Sequence, residues 1–218
     1  MPNKNILLAL VFLTVLSVFI GFSTTPNKDY ELLVNALSVN FVISSVFYFL
    51  VVYIPEVQRR NRVFGSMDKQ YREFKLSCIS TFLILSKSQE YAHKEALLEQ
   101  GEFKRYFSNN NTQNQSRWDA VVNGIQGSEY YLREILHELR MLNEEIRFVR
   151  SGIDIHDEEV FDFLNRLSQI IYKMDSTTPD YDEIKSFSRF LWEIFTGWSF
   201  VHGYRKSDLI KDMIDRIK

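Results

Sequence analysis

The sequence predicts an all-α protein with two parts: an N-terminal two-helix transmembrane hairpin, then a cytoplasmic helical bundle with coiled-coil-like packing. Three observations carry this. Residues 5–27 and 32–54 hold no charged side chain, whereas the chain after Pro55 is dense in charges of both signs. Only eight glycines and four prolines occur in 218 residues, a scarcity of breakers that favours long helices over β structure. Beyond residue 55, apolar residues recur at alternating three- and four-residue steps, the period of a helix with one buried face.

The first apolar run, residues 6–22 (ILLALVFLTVLSVFIGF), extends roughly 25 Å as a helix, just enough for a hydrocarbon core of about 30 Å. The second, residues 32–54, spans with length to spare. A cleaved leader competes for the first run, but no A-x-A-like site follows it. Lys28 is the only basic residue of the intervening loop, while Arg59, Arg60 and Arg62 follow the second run. The positive-inside rule therefore puts both termini in the cytoplasm, and the three arginines can also rest on anionic headgroups. Each span carries small or polar residues at helical spacing: Thr14, Ser17 and Gly21 in the first, Asn40, Ser44 and Tyr48 in the second. Lipid gives helices no hydrophobic reason to associate, so such faces hold a hairpin together or join copies of the chain. An amide at the depth of Asn40 needs a partner. Neither span contains a charge, which excludes a proton relay or a charged ion pathway.

Residues 55–107 read as membrane-proximal helices. Phe64, Met67, Tyr71, Phe74, Cys78, Thr81 and Leu85 mark one face of the first, whose apolar end is too short to span and suits a core. A second is expected over 92–107. Residues 108–115 (SNNNTQNQ) form a polar linker, and 116–218 the bundle, opened by a capping box at Ser116 and Asp119. The seam residues are Leu132, Ile135, Leu139, Leu142, Ile146 and Val149 in one helix. Val160, Phe163, Leu167, Ile170 and Met174 serve in the next. In the last long helix they are Ile184, Phe187, Leu191, Ile194 and Trp198, running on to Val201 with Gly203 as the cap. Consecutive helices of this kind, joined by short loops, are expected to pack antiparallel. The extra aromatics Phe190, Trp192, Phe195 and Phe200 either cover the segment before residue 108 or form a partner surface or membrane-facing edge.

Chemistry is sparse. Cys78 is the single cysteine, so no internal disulfide forms. The four histidines have no metal-ligand spacing, and there is no glycine-rich phosphate loop. No cofactor, metal or small-molecule substrate is expected, and no enzymatic activity. Arg150 and His156, separated by five residues, resemble the R-x(4–6)-H motif of the HEPN ribonucleases. That resemblance implies an RNA-cleaving pair, although Ser151 replaces the usual polar residue of the motif. The competing reading is a helix-terminal arginine and a loop histidine.

The layout of hairpin, basic exit at Arg59–Arg62 and helical remainder resembles the two-transmembrane effector proteins of bacterial retron anti-phage systems. The resemblance implies an inner-membrane effector that self-associates and perturbs the bilayer, held silent by a cytoplasmic protein or ribonucleoprotein partner. A membrane-anchored adaptor or sensor is the alternative on the same residues.

Overall fold

The computed structural model describes residues 12–16, 19, 28–110, 114–199 and 203–217, with the backbone alone for 28–35. The described residues are mostly helical, and the chain divides into two compact units, 1–62 and 63–218.

In the first unit, helix α1 (Lys28–Tyr48) runs into a π-helical turn at Phe49–Tyr53 and then into α2 (Ile54–Leu85). Proline at position 55 has no N–H for the carbonyl four residues back, and its ring crowds that carbonyl. The wider turn absorbs the conflict, with the Ile54 N–H reaching the Phe49 carbonyl. Pro55 thus sits at the border of the π-helical turn and α2.

In the second unit, the rest of α2 supplies one wall of the core through Met67, Phe74, Cys78, Ile79, Phe82 and Leu83, all buried. The helix expected over 92–107 is broken. A 3-10 turn (Lys94–Leu98) precedes α3 (Gln100–Ser108), because Glu99 takes extended backbone and opens the second helix. The polar tract closes a loop: Asn110 bridges Ser116, and the Arg117 N–H reaches the Asn109 carbonyl at 3.0 Å. Helix α4 (Arg117–Gly127) is capped as expected, Ser116 accepting from the Asp119 N–H at 3.0 Å. Gly124 has a packing role, since a Cβ there would meet the Leu85 side chain at 2.7 Å.

The expected seam of α5 (Glu129–Gly152) is buried at all six positions from Leu132 to Val149. Asp157 caps α6 (Glu158–Met174), which turns a slightly different face inward: Val160, Leu164, Leu167 and Ile171 are buried, while Ile170 is exposed. Between α5 and α6 the Ser168 hydroxyl donates to Asn143 Oδ1 at 2.7 Å, a buried polar contact that holds this rotation. Helix α7 (Tyr181–Thr196), capped by Asp180, buries Ile184, Phe187, Leu191 and Ile194. It does not continue to Val201. Gly197 adopts φ 65°, a left-handed cap that stops the helix at Thr196, and Trp198 begins strand β1 (Trp198–Ser199), paired antiparallel with β2 (Gly203–Tyr204). The last element is α8 (Leu209–Asp215), capped by Asp208. Helix α5 lies closest to α6, whereas α7 lies closest to α3 and α4. The three heptad-like helices therefore share one hydrophobic core, with α7 packed mainly on α3 and α4.

Aromatic rings knit α2, α3, α4 and α7 together. Phe82 meets Phe195 at 5.3 Å, Trp118 at 5.4 Å and Phe107 at 6.1 Å, and Phe103 meets Phe195 at 4.8 Å. Phe195 of α7 thus covers α2 and α3, the packing alternative expected for the extra aromatics. Cys78 lies inside this layer; burial, and after it the Glu138 carboxylate, pushes its thiol well above the ordinary value. A folded sample should therefore react with a thiol reagent on the order of a hundredfold more slowly than a denatured one. Equal rates would show that the layer opens freely.

Candidate functional site

A soluble helix buries one face and wets the other. The helix Ala36–Leu85 departs from this in its first part, where an 18-residue window of mean hydropathy 2.1 has no buried residue. Leu37, Val39, Ile43, Val46, Phe47 and Leu50 are each more than half exposed. By length and composition this helix can cross a membrane.

Its polar positions separate into two sets. At 100° per residue, Ser38, Phe41, Val42, Ser45 and Tyr48 share one face about 120° wide, and these are the half-buried positions. Thr14, also half-buried, donates from its hydroxyl to Ser45 Oγ at 3.2 Å. Ser44 lies beside that face and Asn40 on nearly the opposite side of the helix, and both are exposed. The row read from the sequence as Asn40, Ser44 and Tyr48 is therefore split: Tyr48 belongs to the covered face, and Ser45 makes the cross-segment contact. Ser17 and Gly21 lie outside the described residues. Of the basic cluster, Arg59 and Arg62 are exposed whereas Arg60 is buried, so two of the three arginines are available to a charged surface.

The remaining sequence candidates are placed as follows. The seam residues of α5 and α7 are core, except Trp198, which is half-buried beyond the end of α7, and Val201, which lies outside the described residues; in α6 Val160 and Leu167 are buried, Phe163 and Met174 half-buried and Ile170 exposed. Arg150 and His156 are engaged separately: the Arg150 guanidinium lies 5.2 Å from the Phe161 ring centroid, and exposed His156 sits 3.4 Å from Asp154. Among the described residues no three histidine, cysteine, aspartate or glutamate side chains converge on a metal position.

A polar node inside the helical unit has no counterpart in the sequence reading. Lys75 of α2 is buried. Its ammonium donates to Asp208 Oδ2 at 3.0 Å and to the Leu98 carbonyl at 2.9 Å. The Tyr71 hydroxyl donates to the same carboxylate at 2.8–2.9 Å. Burial first, then the charge and hydrogen bond of Asp208, holds the Tyr71 phenol well above its ordinary pKa, so it remains a donor. Asp208 also accepts from the Ile210 and Lys211 N–H groups as the cap of α8. The 3-4 pattern marks Tyr71 as core and gives no sign of a carboxylate 137 residues away. The one sequence signal is a lysine next to Phe74, on the inward side of a helix.

No protein family, curated protein sequence or solved structure matches this chain.

Proposed function

We propose that the protein is a small effector of the bacterial inner membrane. Its N-terminal segments form a transmembrane hairpin, copies of the chain associate through that hairpin, and the assembly perturbs or permeabilises the bilayer under control of the helical unit. Both termini lie in the cytoplasm in this reading, and the setting is anti-phage defence. The observation that carries it is the apolar helix with no buried residue in its hydropathic window, on which Asn40 and Ser44 stay exposed. In hydrocarbon an uncovered amide is costly, and a second copy of the chain offers the nearest partner for it. The Thr14–Ser45 hydrogen bond supports the hairpin, because it ties two segments 31 residues apart without using Asn40 or Ser44. Exposed Arg59 and Arg62 support a cytoplasmic exit.

Inducible expression should arrest growth and admit a membrane-impermeant dye. Asn40→Leu with Ser44→Leu should abolish both while leaving the chain in the membrane fraction. Interhelical hydrogen bonds in membranes are worth about 0.6–2 kcal/mol each, so two of them shift self-association by roughly one to three orders of magnitude. Cells that stay dye-tight at full wild-type expression would dismiss the proposal.

A membrane-anchored adaptor or sensor is the second reading, favoured by the self-contained core of residues 63–218. Exchanging residues 1–54 for an unrelated hairpin separates the two: the adaptor keeps its function and the effector loses it.

A further inference from the structure

We propose that the concavity over the Lys75–Asp208 node binds a phosphorylated small molecule of the nucleotide class. Three segments far apart in sequence converge there: α2 around Tyr71, the start of α3, and the stretch from Tyr204 through the loop into α8. They enclose about 600 Å³, within the range of small-molecule sites.

The charge of the lining is uneven. Asp208 is committed to Lys75 and Tyr71, and Asp68 to Lys211. Lys104, Arg205 and Lys206 also line the space, and among the described residues none of them has a carboxylate partner. Glu99 is the one lining carboxylate outside any ion pair among the described residues. Below them Lys75 spends two of its three N–H donors on Asp208 and Leu98. The concavity therefore offers several cationic donors to an anion and little that repels one.

The backbone adds to this. Gln100 and Gly101, the first residues of α3, line the same space, and no side chain caps this nine-residue helix. Its first-turn N–H groups lack intrahelical acceptors, and the helix dipole favours negative charge at that end. At Gly101 an added Cβ would meet no atom within 4 Å, so the backbone stands open to the cavity. The Gln100 amide, oriented to satisfy both its ends, donates to the Ser207 carbonyl at 3.2 Å and accepts from the Gly197 N–H at 3.3 Å, which fixes the α3 start against the Arg205–Asp208 loop.

A multivalent oxyanion matches this donor set better than a single carboxylate does, since guanidinium, ammonium and helix N–H groups are each suited to phosphate oxygens. Tyr204 lines the rim, 46% exposed, with the Lys104 ammonium 3.3 Å from its ring centroid, and provides aromatic surface for a base. The site lies wholly within residues 63–218 and does not depend on the membrane reading.

The test is calorimetric titration of the full chain in detergent micelles with inorganic phosphate, pyrophosphate, AMP and ATP at low and moderate salt. Pyrophosphate and ATP should bind saturably at one site, more weakly as salt rises. A tighter fit for ATP that is lost in Tyr204→Ala identifies a nucleotide. Equal affinity for pyrophosphate and ATP overturns the nucleotide assignment. Arg205→Glu with Lys206→Glu should weaken binding on the order of tenfold or more, and exposed Arg133→Glu on α5 should leave it unchanged. Gly101→Ala keeps the fold accountable: it should raise the unfolding temperature, because alanine suits a helix better than glycine, yet weaken binding by covering the open backbone. Absence of saturable binding at millimolar concentrations of all four anions overturns the proposal, as does equal binding by the Arg205/Lys206 and Arg133 variants. A short single-stranded RNA that binds where ATP and pyrophosphate do not would also overturn it, assigning the cations to nucleic acid.

Discussion

Asp208→Ala is expected to destabilise the helical unit by about 3–5 kcal/mol, the range for removing one partner of a buried ion pair. The Lys75 side chain is 5% exposed and would keep only the Leu98 carbonyl as an acceptor. Tyr71 would lose the acceptor of its hydroxyl, and α8 would lose its cap, itself worth about 0.5–2 kcal/mol. Asp208→Asn keeps a cap and an acceptor without the charge, so it should fall between wild type and alanine. Lys75→Met combined with Asp208→Asn should recover much of the loss, because an uncompensated ammonium is then no longer buried. Denaturant unfolding followed by helical circular dichroism gives these differences. An alanine variant within about 1 kcal/mol of wild type, the size of a surface pair, would mean that the node is solvated.

The same node predicts an alkaline limit. The Tyr71 phenol is raised in the folded state, so its contribution is fully present below the ordinary tyrosine pKa and is lost as pH rises through the folded value. Asp208→Ala should soften that loss without abolishing it, since burial is the larger cause of the shift.

Phe82→Ala is the second large effect, expected to cost about 3–5 kcal/mol. Phe82 is fully buried and touches rings from three other helices: Phe103 and Phe107 of α3, Trp118 of α4 and Phe195 of α7. Truncation removes the ring's own transfer energy and leaves a cavity that four rigid neighbours cannot close. Phe82→Leu, which keeps more of the volume, should cost markedly less. By contrast, Phe148→Ala, at an exposed position on α5, should change stability by no more than about 0.5 kcal/mol. Similar losses for Phe82→Ala and Phe148→Ala would refute the packing described for this layer.

Much of the helical content was legible because it is written in local pattern. The seam of α5 from Leu132 to Val149, the cap at Ser116, and the apolar length of the α1–α2 run follow from spacing and capping chemistry alone. What escaped was decided by contacts between distant residues. The 3-4 pattern of α7 continues through Trp198, yet the helix stops at Gly197, where a Cβ would come within 2.5 Å of the Gln100 amide. No periodicity encodes a neighbour from another helix. Likewise the tilt of α6 depends on Asn143 meeting Ser168, and the covered face of α1 on Thr14 meeting Ser45. Lys75 shows the limit most sharply. On a helix carrying Lys69 and Arg72 it reads as solvated charge, and only the arrival of Asp208 makes its burial affordable.

That last contact also sets an order of events in synthesis. Lys75 and Asp208 are 133 residues apart, and at ribosomal speeds of 5–20 residues per second roughly 7–27 s separate their emergence. The apolar stretch at the N-terminal side leaves the ribosome well before that carboxylate exists. Until it does, the Lys75 ammonium has no charge to answer it and must stay hydrated, so this part of α2 cannot close against its eventual neighbours. Nascent chains halted short of Asp208 should therefore remain protease-sensitive around Lys75.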